Sequence, residues 1–407
     1  MFITLLLALY VAQLFIVKPG SDISQRFGKM NTYTKFGLTY SAIVCLLILA
    51  WMMWRLFRRG SEFGKNTKDT RSIILLSMLL ISGIIASLAN GVMPQFDYIM
   101  KLIMPFMVFY YIKYACKEKE FERLPGLILI INITMVVQII VCKAITGHFS
   151  ASTYYTYIGT EEYFGYYNSP HPLSALLGLF SVWNIYSIHR KQTLVLNIVL
   201  FTANILLVVL LGVRTYMAAV ALSIIVMIAY GTRNSKYRSF TIIALIFVAI
   251  AGLIIYFNMD KIFAGTRLDS SVNTSEITSG RNGRWKQDMN YYLHEYNFLQ
   301  QIFGKGFGAI NNVNIKLRIG NINSLNAIID LLMDNGVVGL LLLVASYKDV
   351  VKYCVGRNME YAQVGIIAVI ATGLMINNIL PYVTIMPMAI IMMLLINRNK
   401  STIPERK

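Results

Sequence analysis

The chain has 407 residues, 57% of them hydrophobic and only 14% charged, with a formal net charge of +18. Soluble domains average about 25% charged residues, so this composition excludes an ordinary soluble globular protein and indicates a polytopic membrane protein. In a soluble chain the positive balance would suggest nucleic acid. Here it reads as basic loops beside anionic headgroups on the cytoplasmic side, and no nucleic-acid partner is expected.

The first apolar run, FITLLLALYVAQLFIV (2–17), has no basic leading segment and no small-residue cleavage site, so it reads as a first span and not as a cleavable signal. A span needs about 20 mostly apolar residues. On that measure about twelve follow in order: 2–17, 37–56, 72–92, 97–115, 125–147, 172–188, 193–213, 215–231, 240–257, 324–347, 362–379 and 382–396. The fold expected is all-α, with one large, partly helical extracytoplasmic loop. It divides into helices 1–9 over 1–257, the loop over 258–323, and helices 10–12 with a cytoplasmic tail over 324–407. Asp330, Asp334 and Gly336 interrupt 324–347, and an amphipathic entry helix followed by a short span fits that segment equally well.

Lysine and arginine set the orientation. With the N-terminus inside, the segments 55–71, 113–123, 190–191, 232–238, 348–357 and 398–407 are all cytoplasmic and hold most of the 37 basic residues. The exception is 18–35, an outer loop with Lys18, Arg26, Lys29 and Lys35. The expected orientation puts both termini in the cytoplasm. Cys45, Cys116, Cys142 and Cys354 lie in spans or near their cytoplasmic ends, which indicates neither a disulfide framework nor a metal site.

Two outer segments carry the candidate chemistry. SASTYYTYIGTEEYFGYYNSP (150–170) combines tyrosines, Tyr166 and Tyr167 among them, with Glu161 and Glu162 and has no basic residue. Tyrosine offers an apolar face to sugar rings and a hydroxyl to their oxygens, and a carboxylate can act as general base on a sugar hydroxyl. The plainer reading is a belt of interfacial aromatics with solvated acids. In the loop 258–323, SGRNGRW (279–285) places Arg281 and Arg284 between glycines, ahead of a helical pattern over 285–303 that a glycine turn, GKGFG (304–308), closes. Guanidinium forks match phosphate oxygens, and a glycine loop entering a helix can cradle an anion with its N–H groups. The plainer reading is a solvated turn.

Three further positions stand out. Arg214 lies between two apolar runs, at the outer end of its spans, where a charge costs up to about 2.5–3.5 kcal/mol at mid-helix and less near the interface. It is a phosphate ligand at the membrane boundary, or it snorkels to headgroups. His171, between Pro170 and Pro172, is expected in a rigid non-helical entry as a proton acceptor, a donor or a structural cap. Asp330 and Asp334 share a helical face and are expected to face a cavity or the outer loop. No histidine or glutamate stands at metal spacing beside them, so no metal and no other cofactor is expected. Walker A, Rossmann and HExxH patterns are absent.

The arrangement and four stretches, YNSPHPLSALLGL (167–179), LGVRTYMAAV (211–220), SGRNGRW through QQIFGKGFG (279–308) and LNAIIDLLMDNGVVGLLLL (325–343), resemble the bacterial O-antigen and capsular repeat-unit polymerases and their sister O-antigen ligases. The resemblance covers roughly 160–345. It implies a metal-independent glycosyltransferase whose donor and acceptor are polyprenyl-diphosphate-linked oligosaccharides, working against membrane lipid, with a chain-length regulator as a further candidate partner. Arg214 and Arg281 match arginines that in the family face the diphosphate, and Arg284 joins them by proximity. His171, Glu161 and Glu162 are then the catalytic candidates, and Tyr166, Tyr167, Trp285, Asn326 and Asp330 the acceptor- or sugar-binding ones. In the ligases a histidine usually precedes the asparagine of the last stretch. Leu325 stands there, ahead of Asn326, and this departure leans toward a polymerase. The alternatives are a ligase moving finished glycan to a lipid or protein, and a flippase or transporter. No internal symmetry of the kind transporters favour is found.

Overall fold

The computed structural model describes residues 40–59, 66–94, 96–150, 163, 165, 170–213, 216–217, 220–221, 224–225, 281–316, 326–355 and 389–395. The expected spans 2–17, 240–257 and 362–379 lie outside them, as do most of 215–231 and half of 382–396. Among the described residues the chain is helical: α1 (Tyr40–Arg59), α2 (Thr67–Ala89), α3 (Phe96–Tyr110), a π-helical turn (Tyr111–Ala115), α4 (Glu118–Phe121), α5 (Leu124–Thr146), α6 (Pro170–His189), α7 (Leu194–Leu210), α8 (Arg281–Glu295), α9 (Phe298–Phe303), α10 (Ala309–Lys316) and α11 (Ala327–Val355). Extended pairing among them is limited to one isolated bridge, Ser150 to Gly165.

Among the described residues, three helical segments are long and apolar enough to cross a membrane: Thr67–Ala89, Glu118–Thr146 and Ala327–Lys348. Leu102–Ala115, Leu173–Ile188 and Leu194–Leu210 are apolar but shorter. α2 shows how such a helix chooses its faces. Ser72, Leu76, Leu79, Gly83, Ala86 and Ser87 are buried, while Ile74, Met78, Ile81, Ile85 and Leu88 are exposed. The small residues, with Leu76 and Leu79, face protein and the other large apolar ones face outward, a pattern a lipid solvent selects.

Some polar side chains inside the bundle are paired across helices. Asn132 of α5 donates to Asn184 of α6 at 3.1 Å. Near one end Arg55 of α1 meets Glu120 of α4 at 3.0 Å, Lys113 meets Asp69 at 2.7 Å, and the Tyr114 hydroxyl also bonds Asp69.

α2 and α11 run antiparallel in close contact. A side chain at Gly83 would collide with Asn335 and Phe307, and Gly339 lies against Asn335 and Leu79. Between them is wedged the turn Gly304–Gly308. Phe307 is fully buried, and the turn's N–H groups are accounted for one by one. Lys305 donates to the Met333 carbonyl (3.2 Å) and Gly306 to the Asp334 carbonyl (2.7 Å). Phe307 donates to Ser87 Oγ (2.9 Å), and Gly308 and Ile310 to the Asp334 carboxylate (2.9 and 3.0 Å). Irregular backbone at this depth survives only when protein satisfies it. α11 breaks to admit the turn: Gly336 has φ 64° and ψ −170° inside the helix, and its missing side chain leaves room for the Ile302 carbonyl. Of the interruption read at Asp330, Asp334 and Gly336, only Gly336 leaves helical geometry; Asp330 and Asp334 lie in the helical segment before it.

A second, smaller core joins this region to α11. Tyr292, Tyr296, Ile310, Val313, Ile329 and Met333 are buried together, with Trp285, Met289, Tyr291 and Leu332 packed against them. It fastens α8 and α10 onto the entry half of α11.

Two predictions follow from the wedge. Gly304 and Gly306 have φ of 76° and 102°, and an added Cβ would strike the backbone of Asp334 and of Ser87. Gly304→Ala and Gly306→Ala should each cost about 1–3 kcal/mol, read as a drop in thermal unfolding temperature of the detergent-solubilised protein. Gly283→Ala meets nothing within 4 Å and should leave that temperature unchanged or raise it. Asp334→Ala strips two buried N–H groups of their acceptor and should cost about 2–4 kcal/mol, with a larger loss of detergent stability than Asp330→Ala.

Candidate functional site

The arginine segment folds differently from the pattern in the sequence. α8 begins at Arg281, so Arg281, Gly283 and Arg284 lie in its first turns and not in a preceding loop, and Gly283 keeps an ordinary helical backbone. Arg281 and Arg284, three apart, share a face. The helix expected over 285–303 is two helices. It ends at Glu295 because Asn297 starts a new one: Gln300 N–H donates to Asn297 Oδ1 at 2.9 Å, and Asn297 N–H to Gln300 Oε1 at 3.1 Å. This reciprocal cap outcompetes helix continuation.

One turn beyond Arg284 on the same face is Asp288, which the sequence reading passed over. It is fully buried, and neither carboxylate oxygen has a hydrogen-bond partner. Burial first, then the like charge of Asp330, push its carboxyl up to about 7, against the opposing pull of Arg284. Asp330 is itself fully buried on α11. Helix packing thus gathers two acids and a guanidinium where α8 crosses the entry half of α11. A carboxyl that changes charge near neutrality and holds no competing hydrogen bonds is suited to taking a proton. The sequence signal was available: Arg284 and Asp288 stand four apart on a helical pattern. Their pairing with Asp330 was not readable, because it comes from two helices docking.

The remaining candidates divide. Trp285 is half-buried and packs against the Tyr292–Tyr296 cluster. Asn326 caps α11, its Oδ1 accepting from the N–H groups of Ile328 (3.0 Å) and Ile329 (3.3 Å). His171 is the second residue of α6, which starts at Pro170. The expected non-helical entry is replaced by a helix whose first turn accepts prolines, since its N–H groups need no intrahelical partner. Arg281 is the first residue of α8. Arg214, Glu161, Glu162, Tyr166 and Tyr167 lie outside the described residues. An open depression on α8, lined by Gln287, Asn290, Tyr291, His294 and Glu295, contains none of the candidates. No group of three or more metal-ligating side chains is found among the described residues.

Comparison with protein-family models, with curated proteins and with solved structures gives no match in any of the three.

Asp288 supplies a test of the site's electrostatics. Its folded-state pKa is raised above the ordinary aspartate value of about 3.9. Stability from this group is therefore fully present below about pH 4 and is lost as pH rises through about 7. Asp288→Asn should raise the unfolding temperature at pH 8 by a few degrees, with the gain vanishing toward pH 4. Parallel pH profiles for variant and parent would contradict the assignment.

Proposed function

We propose that the protein is an integral-membrane glycosyltransferase that polymerises polyprenyl-diphosphate-linked oligosaccharide repeat units into O-antigen or a capsular or exopolysaccharide, on the outer face of the bacterial cytoplasmic membrane. The observation that carries the reading is the first two turns of α8. Arg281 opens the helix and Arg284 stands one turn before Asp288 on one face, on a segment docked to a helix apolar enough to span the bilayer. The resemblance of 160–345 to the repeat-unit polymerases supplies the substrate class.

The chemistry is direct displacement. A hydroxyl oxygen of the acceptor unit attacks the anomeric carbon of the donor. The bond from that carbon to the diphosphate breaks, and the diphosphate leaves with the electron pair. The hydroxyl proton passes to a base. Arg281, Arg284 and Arg214 stabilise the departing charge, a role for which fixed guanidinium groups in a poorly solvated site are well suited. His171, Glu161 and Glu162 are candidates for the base, and Asp288 joins them on its burial and its unpartnered oxygens. Tyr166, Tyr167 and Trp285 offer aromatic faces for sugar rings, and Asn326 and Asp330 offer polar groups at the start of α11. A donor of this kind is lipid-held, so both substrates reach the site along the membrane.

The test is incubation of purified protein with a defined lipid-diphosphate oligosaccharide, with products read by mass. The reading expects a ladder of repeat-unit multiples. Transfer to a different lipid or protein would favour a ligase, and transport into liposomes without bond formation a flippase. Arg281→Ala and Arg214→Ala should each lower polymer formation about 10²–10³-fold while the protein inserts normally. Normal polymer length from correctly inserted variants removes these residues from the reaction.

A further inference from the structure

The short helix α9 is built inside out. Its two glutamines turn toward protein. Gln300 Nε2 donates to Asn90 Oδ1 at 2.8 Å, and Gln301 Nε2 to the Leu293 and Tyr296 carbonyls at 3.1 and 3.3 Å. Its apolar side chains turn outward: Phe298 is 74% exposed, Leu299 65% and Phe303 45%, and Leu293 at the end of α8 is 55% exposed. A six-residue helix in water gains by the opposite arrangement.

The neighbours of α9 place it in depth. Gln300 reaches Asn90, the C-cap of α2. Two residues on, the Ile302 carbonyl sits against Gly336, the break in α11. Asn335, beside that break, is level with Gly83 of the antiparallel α2. Gly83 is six residues below the end of α2 at Ala89, which at ~1.5 Å per residue is about 9 Å. α9 therefore runs from the rim of the bundle down along its side, over a depth that α2 also spans.

We propose that α9, with Leu293, is seated in the acyl-chain region of the membrane leaflet at this end of the bundle, so that the 281–316 segment is docked on the bilayer and does not stand free of it. The occupant of the surface is lipid acyl chain, because the patch lies at a depth that α2 and α11, both apolar and long enough to cross a membrane, also occupy. The glutamine amides are spent on protein, and Asn297 accepts the N–H groups of Gln300 and Gln301, which lowers the cost of insertion. The proposal is independent of the enzymatic reading.

Nitroxide labels give the test. Phe298→Cys and Leu299→Cys are made in protein whose native cysteines are replaced, labelled, and reconstituted into phosphatidylcholine–phosphatidylglycerol vesicles. Collision with oxygen, which concentrates in acyl chains, is compared with collision with a water-soluble nickel chelate. Leu88→Cys serves as the lipid-facing reference and Glu295→Cys as the aqueous one. Positions 298 and 299 should match 88, with oxygen favoured several-fold over the level at 295. A nickel-accessible signal like that at 295, or a signal shielded from both reagents by another protein surface, overturns the proposal. If the cysteine-free background folds poorly, Phe298→Trp with native cysteines retained answers the same question. Its added fluorescence should be quenched by brominated acyl chains and spared by aqueous acrylamide, and the reverse overturns the proposal.

Discussion

One carboxylate and one hydroxyl complete the seat of the Gly304–Gly308 turn between α2 and α11. Asp334 receives the N–H groups of Gly308 and Ile310, and Ser87 that of Phe307. Remove these acceptors and the Gly304–Gly308 turn presents bare donors between two apolar helices, where no water can reach them. The constraint is the ordinary one of hydrocarbon solvent: a backbone that leaves helical geometry must find every partner in protein. The rest of the region follows from it. α11 breaks at Gly336 to make room, the glycines of the turn adopt left-handed backbone, and Phe307 fills the space opened at Gly83.

With that turn fixed, α8 and α10 have little choice of position. The Tyr292, Tyr296, Ile310 and Met333 cluster closes over the entry half of α11, and Tyr296 donates to the Met333 carbonyl at 3.2 Å. Lys305 lies over the Tyr296 ring at 4.1 Å, adding a cation–π contact at the same joint. The acids Asp288 and Asp330 are buried by this closure. Their proximity to Arg284 is thus a product of packing that also serves stability, and the raised Asp288 carboxyl is the local cost of that packing.

Burial of unpartnered charge is unfavourable, and a fold that tolerates it at a helix crossing concentrates unspent electrostatic energy there. The proposed transferase reading uses this directly, since departing diphosphate would meet guanidinium groups and departing proton a carboxyl in one poorly solvated place. The outward apolar face of α9 adds a geometric point. A segment that leans on the leaflet holds α8 close to the depth at which a lipid-linked headgroup emerges.

Helices long and apolar enough to cross a membrane were readable from hydropathy alone, as in Thr67–Ala89 and Ala327–Lys348, because lipid demands an apolar run whatever its neighbours are. The break at Gly336 and the glycine turn also left marks in the sequence, since only glycine tolerates their backbone cheaply. What stayed hidden was everything that depends on two segments meeting. Nothing in GKGFG says that its partners are Ser87 and Asp334, some 220 and 26 residues away. Nothing in WKQDMNYYLHEYNFLQQIF separates the buried Asp288 from a solvated one, or shows that Asn297 caps a second helix whose glutamines point inward. Local composition determines which stretches can lie in lipid. Which polar groups become buried, paired or left without partners is decided by docking, because desolvation is a property of the neighbours a residue acquires and not of the residue itself.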